Sequence, residues 1–360
     1  MPQDPKISRF FNMLHARTGR LDAGDPIPDP LVMTSVFALP EQPDPSRTYG
    51  RGTSPTLDAL EARLTALEGA PCLSFPSGMG AYAGLLMAML QKGQRVLALS
   101  DGYYAARNLI SQILGPFGIS LDTCPAAHIA DALLDDFDVV IIETPSNPGL
   151  YVVDIAAMAA RCREAGAKLV VDNTVCTPLL QNPLDLGADA VIVSDTKAMG
   201  GHSDLLMGHV ASHDPALMER VLSVRTLMGL NPGPQEAWLL IRGLETLDVR
   251  LSRMCTNARA LLPILENSPH ISDLRYPAPH PQAADQGFLI GVTFSDAPTA
   301  DRFLAKAGFT PTTSFGGLHS AGDRRARWGD DVAGGFVRLS IGVEPEEQLV
   351  TTVKDALSSL

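Results

Sequence analysis

Short, wholly apolar runs alternate with helical periods between residues 55 and 194, and this alternation restricts the fold more than any other feature. RVLALS (Arg95–Ser100), DVVIIE (Asp138–Glu143), KLVVD (Lys168–Asp172) and DAVIVS (Asp189–Ser194) lack an every-other-residue polar pattern. Strands of that kind are covered on both faces. Between and before them, Pro55–Glu68 sets Leu57, Leu60, Leu64 and Leu67 at helical spacing. Ser77–Gln91, Asn108–Leu114 and Ile155–Ala165 read as further helices. Buried strands interleaved with helices predict an α/β fold around a mostly parallel sheet. Such sheets bind ligands at the carboxyl ends of their strands. Asp101, Glu143, Asp172 and Ser194 are therefore expected along one crevice.

The flanks read differently. Residues 1–50 are rich in Pro and Asp with little period, which predicts an extended N-terminal arm. After residue 235 come a long helix (Gln235–Leu262), the strand FLIGVTF (Phe288–Phe294), a helix near Thr299–Ala307, FVRLSIG (Phe336–Gly342) and a closing helix. This style suggests a smaller α+β domain. A chain of 360 residues exceeds the size at which single cores stop growing. The expected division is an arm (1–50), a large domain (51–235) and a C-terminal small domain (236–360).

Composition removes several function classes. A net charge of −12 opposes nucleic-acid binding, which needs clustered cations. Asp323-Arg324-Arg325-Ala326-Arg327 does cluster arginines, but reads as a solvated loop. The longest apolar stretch, Ala83–Leu90, is too short to span a membrane. The start, MPQDPKISRFFNML, lacks the basic-then-apolar pattern of a signal peptide. Five cysteines, an odd number at wide spacing without CxxC, indicate neither a disulfide framework nor a zinc site. A reducing cytoplasm is the expected location.

The chemistry concentrates at strand ends. Lys197 lies in SDTKAMGGHSD just after the run ending at Val193, and Asp172 ends KLVVD. Alone, each has a plain reading: a lysine reaching into solvent, a carboxylate capping a turn. Together they match what pyridoxal phosphate requires, an amine for a Schiff base and a carboxylate that keeps the pyridine nitrogen protonated. Ser77-Gly78-Met79-Gly80 opens a helix, where free N–H groups attract an anion such as phosphate; Ser194 and Thr196 add hydroxyls. The competing reading is a dinucleotide fingerprint, Gly78 and Gly80 followed by Asp101. It lacks a third glycine, since Ala83 stands there, and Leu73–Pro76 makes a poor first strand. His209 and His213 fall in the strand-like HVASH, so no metal site is expected, and His202 reads as a structural residue.

SDTKAMGGHSDLLMG resembles the lysine segment S-x-T-K-x-x-x-G-H-S-D-x-x-x-G of the Cys/Met-metabolism family of pyridoxal-phosphate enzymes. YGRGTSPT (Tyr49–Thr56), Phe75–Gly80, ETPSNP (Glu143–Pro148), VDNT (Val171–Thr174) and VRLSIG (Val337–Gly342) match in order over nearly the whole chain. The resemblance implies a fold-type I PLP-dependent transferase, with Lys197 holding the cofactor and Asp172 on its ring nitrogen. Tyr104 would stack on the ring, with Tyr103 as a substitute, because the family's Tyr-Gly-Gly-Thr is Tyr104-Ala105-Ala106-Arg107 here. Gly78, Met79, Ser194 and Thr196 match phosphate ligands, and Tyr49 and Arg51 match residues reaching a neighbouring subunit's phosphate. Asn147 matches a residue near the cofactor's phenolic oxygen and the substrate carboxylate; Arg338 and Ser314 match the carboxylate site itself. The resemblance implies a homotetramer with shared active sites, and a sulfur amino acid as the small-molecule partner. The expected reaction is carbon–sulfur cleavage of cystathionine or a related thioether amino acid to thiol, keto acid and ammonia. A γ-replacement synthase is the alternative within the family, and a dinucleotide-dependent oxidoreductase the alternative outside it. Thr313-Ser314-Phe315-Gly316-Gly317, with an aromatic and no glutamate, leans towards β-type cleavage.

Overall fold

The computed structural model describes residues 5–17, 21–42 and 48–360. The apolar runs become strands of one sheet: Cys72–Phe75 (β1), Arg95–Leu99 (β2), Ser120–Cys124 (β3), Val139–Glu143 (β4), Lys168–Asp172 (β5), Ala190–Val193 (β6) and Gly208–Ala211 (β7). Their order is β1-β7-β6-β5-β4-β2-β3. Only β7 is reversed, pairing antiparallel with β1 and β6. Side chains alternate across a strand. Val139 and Ile141 therefore share a core with the helix Gly78–Met89, while Val140 and Ile142 share one with Ile155–Ala165 on the other face. Both faces are covered, as the runs require.

A second, five-stranded sheet follows, built from Ile271–Arg275 (β8), Leu289–Phe294 (β9), Thr310–Pro311 (β10), Ala321–Arg324 (β11) and Phe336–Ser340 (β12) in the order β10-β11-β12-β9-β8. Val337 and Leu339 point into a core shared with the helices Leu247–Glu266, Ala297–Lys306 and Glu346–Ser358. Alternation turns Arg338 and Ser340 to the opposite side. That is how the small sheet contributes to the site.

Several elements differ from expectation. Cys72–Phe75 is a strand after all; its partner β7 lies far along the chain, and Phe75 pairs with Gly208. The N-terminal arm contains a helix, Pro5–Leu14, anchored by fully buried Met13 and by Arg9, which donates to Asp185 at 2.7 and 2.9 Å. The long helix is two, Pro234–Glu245 and Leu247–Glu266, broken at Thr246. Arg250 then reaches back to Ala198 O at 2.8 Å and Gly243 O at 2.7 Å, tying the break to the lysine segment. The helix expected over Asn108–Leu114 is α-helical only to Asn108 and widens to π-helical geometry over Leu109–Leu114. No helix among the described residues is long and apolar enough to cross a membrane.

Candidate active site

The carboxyl ends of β1, β4, β5 and β6 meet the small sheet around a cavity of about 320 Å³. At one end the Ser77 hydroxyl caps the helix Gly78–Met89 by accepting the Gly80 N–H at 2.9 Å. The N–H groups of Gly78 and Met79 come first in the helix and have no carbonyl one turn back to take them. Both residues line the cavity, so the positive end of the helix is turned to it. Gly78 is required by contact: a Cβ there would lie 2.8 Å from Ser194 Cβ. The Cβ of a residue replacing Gly208 would lie 2.7 Å from Gly78 Cα. Backbone pressed this closely on both sides makes a cradle for an anion.

Asp172 sits deep in the same cavity. Its Oδ2 accepts the Tyr82 hydroxyl at 2.8 Å and its Oδ1 accepts the Thr174 N–H at 3.0 Å. Burial raises its pKa; the hydrogen bonds from Thr174 and Tyr82 and the charge of Lys197 oppose this without cancelling it. A carboxylate so placed is completed by a cation, such as a protonated ring nitrogen. Glu143, one strand over in register with Asp172, is pushed well up by burial and by that neighbouring charge. Glu143 Oε2 accepts the Tyr103 N–H at 2.9 Å and so fixes the turn that presents Tyr103 and Tyr104.

Lys197 reaches the cavity from the turn after β6. Its Nζ donates to Ser314 Oγ at 2.9 Å and stands 5.2 Å from the centre of the Phe315 ring. Burial, then the charges of Arg338 and Arg325, push its pKa down to about 8, against an opposing pull from Asp172. Gly316 holds this contact: with φ of 80°, its Cβ would lie 2.5 Å from Ala198 N, so only glycine lets the Ser314 turn press on the lysine segment. Arg338 donates to Asn147 Oδ1 at 2.6 Å and to Thr313 O at 2.6 Å. Its Nε is buried without a partner among the described residues, a donor available to a carboxylate.

The structure thus brings together Lys197, Asp172, Gly78, Met79, Ser194, Thr196, Tyr104, Asn147, Ser314 and Arg338, all lining or bonded within this cavity. The Thr196 hydroxyl is already engaged, bridging the N–H and carbonyl of Met207 at 3.1 Å each. Asp101 leaves the expected crevice; it accepts the Ala126 N–H at 2.8 Å, so the acid of the dinucleotide reading is spent on a loop. Tyr49 and Arg51 stack on each other at 5.4 Å and do not line their own chain's cavity.

Two contributors escaped the sequence reading. Tyr82 looks like a core aromatic of an apolar helix, though it stands one turn from Gly78 and so shares its face. Arg325, assigned to a solvated loop, is only 5% exposed and lines the cavity. The reason is Asp323, fully buried, which accepts from Arg325, Arg327 and Trp328 and folds the loop inward.

His209 is sandwiched between Asp195 Oδ1 at 2.8 Å and Glu68 Oε1 at 3.0 Å. Burial alone would lower its pKa; the charges and hydrogen bonds of Asp195 and Glu68 carry it up to about 10. Both ring nitrogens are thereby occupied in a buried ionic triad behind the lysine segment. His202 Nδ1 lies 2.7 Å from Gly200 O, in keeping with a structural residue.

An anion cradle, a desolvated lysine and a buried carboxylate in one cavity fit pyridoxal phosphate: Gly78, Met79 and Ser194 would hold its phosphate, Asp172 its ring nitrogen and Lys197 its aldehyde. Comparison with known proteins agrees. Residues 14–358 match the family described as Cys/Met metabolism PLP-dependent enzyme. A Streptomyces coelicolor protein provisionally named cystathionine gamma-lyase is 39% identical, over 92% of this chain and 88% of its own. The cystathionine gamma-lyase of Bacillus subtilis is 33% identical over 92% and 94%. The crystal structure of cystathionine gamma synthase from Xanthomonas oryzae superposes with a TM-score of 0.91 at 30% identity, covering 97% of both chains. The chain belongs to the Cys/Met metabolism family of pyridoxal-phosphate-dependent enzymes.

Proposed function

We propose that the protein is a carbon–sulfur lyase that cleaves cystathionine, or a closely related thioether amino acid, on the γ side. The observation that carries this is the Lys197 amine, half-buried, held by Ser314 and lowered to about 8, beside an arginine with a free donor. An amine of that kind can take a proton from carbon and return it near neutral pH. Arg338 grips the α-carboxylate through its fork, with Asn147 beside it. The grip turns Cα towards Lys197, which removes the Cα proton and then, for γ-cleavage, a Cβ proton. The cofactor, when bound, supplies the electron sink for these steps. Asp172, held by Tyr82 and Thr174, keeps that sink protonated. Phe315 walls the site with apolar surface beside the amine.

The relatives named gamma-lyase, 39% and 33% identical, favour the γ side over the β side suggested by Phe315. Incubating the loaded protein with cystathionine alone tests the reading. Cysteine, 2-oxobutyrate and ammonia in equal amounts are expected. Homocysteine with pyruvate would move cleavage to the β side. A synthase would release little keto acid, and would instead join an activated homoserine to cysteine.

The exposed arm supports shared sites. Ile27, Met33, Val36 and Leu39 are 77%, 68%, 63% and 59% exposed on the segment that leads to Tyr49 and Arg51. Apolar surface of this kind suits a second copy, with Arg51 reaching that copy's phosphate. Mixing Arg51→Ala and Lys197→Ala proteins should then regain activity that neither has alone, because a mixed dimer carries one intact site. Activity that stays absent after subunit exchange would place Arg51 outside the neighbour's site.

A further inference from the structure

The cavity wall holds a second buried guanidinium that the reaction above does not use. Arg325 lies on the turn after β11 and is fixed from three sides. Nε donates to Asp330 Oδ2 at 2.7 Å, with Nη2 also 2.7 Å from that oxygen. Nη1 donates to Asp323 Oδ2 and to Thr313 Oγ1, each at 2.9 Å. A guanidinium has five N–H groups, so one Nη2 hydrogen stays uncommitted among the described residues. Arg327 also binds Asp323 and shares that carboxylate's charge. The Thr313 hydroxyl takes Arg325 and the Thr313 carbonyl takes Arg338, so the two guanidiniums flank one residue and line one cavity.

Such a pair has a chemical meaning. If Arg338 takes the α-carboxylate, a second fixed cation one residue away faces the far part of the same substrate. Arginine held rigidly by carboxylates loses little freedom on binding an anion. A neutral side chain there would gain nothing from it and would leave its last N–H to water. We propose that Arg325 is a specificity residue that recognises a second carboxylate, at the distal end of the thioether substrate. This rests on the carbon–sulfur lyase reading and narrows it to substrates with an anionic tail, against those ending in a plain alkyl thioether.

The test uses the rapid binding phase of the loaded protein, read from the cofactor's absorbance before turnover sets in. The probes are cystathionine and methionine. The wild-type protein should bind cystathionine about 10- to 100-fold more tightly, the scale of one hydrogen bond to a charged group. Arg325→Met should collapse this ratio towards one, and Arg325→Lys, which keeps the charge without the fork, should lose part of it. A wild-type ratio near one overturns the proposal without any variant, so a poorly folded Arg325→Met protein leaves the test intact. An equal loss for both ligands in the folded Lys variant also overturns it, making Arg325 a clamp on Thr313. Tight, discriminating binding of cystathionine without cleavage would sink the lyase reading and leave Arg325's role standing.

Discussion

Replacing Lys197 with alanine is expected to remove both the visible absorbance of the loaded protein and its turnover, a loss of at least about 10³-fold. Among the described residues, Lys197 is the only lysine lining the cavity that holds Asp172 and the Gly78 cradle. Its place is built in from both sides: Ser314 accepts from its Nζ, and Gly316 closes on Ala198. The same amine sets a pH dependence in the wild-type protein. Only the neutral form attacks an aldehyde. With its pKa lowered from 10.5 to about 8, the neutral fraction falls tenfold per pH unit below that point and levels off above it. Capture of pyridoxal phosphate by the cofactor-free protein, followed by absorbance, should rise with pH and flatten near 8. A rate still climbing at the pH of free lysine would show that burial does not set this amine's proton affinity. A Lys197→Ala protein that stays coloured and active would remove the residue from the chemistry altogether.

The parts of this site that could be read in advance are those whose signal is local. A strand buried on both faces must be apolar along its length, so KLVVD and DAVIVS declare themselves, and their ends place Asp172 and Ser194. A glycine pair at a helix start is equally visible at Gly78 and Gly80. The missed parts depend on distant partners. Cys72–Phe75 has four residues and gains its ladder from β7, so no local run marks it. Tyr82 shows its second role only when β5 brings Asp172 to its hydroxyl. Arg325 is the clearest case. Three arginines in five residues look like a solvated charge run until Asp323, buried in register opposite Arg338, draws two of them together. The break at Thr246 likewise has no helix-breaking residue to announce it, and Arg250, which donates to the Gly243 and Ala198 carbonyls there, is distant from Ala198 in sequence.

Asp172→Asn should keep the fold and the cofactor while lowering turnover about 10²- to 10³-fold, the scale of losing one preorganised charge at a reacting system. Asparagine is nearly isosteric. Its Oδ1 can still accept the Thr174 N–H, and its Nδ2 can donate to the Tyr82 oxygen, which reverses that bond without moving it. What disappears is the negative charge, and with it the reason for a ring nitrogen to stay protonated in a buried cavity. The effect should therefore fall on the rate of proton removal and much less on substrate binding through Arg338. Tyr82→Phe separates charge from geometry. It removes one of the hydrogen bonds that hold the carboxylate's pKa down against burial, so that pKa should rise further. Activity would then fail at higher pH on the acid side while the plateau rate changes little. An Asp172→Asn protein retaining more than about a tenth of wild-type turnover would mean that the charge at this position is dispensable.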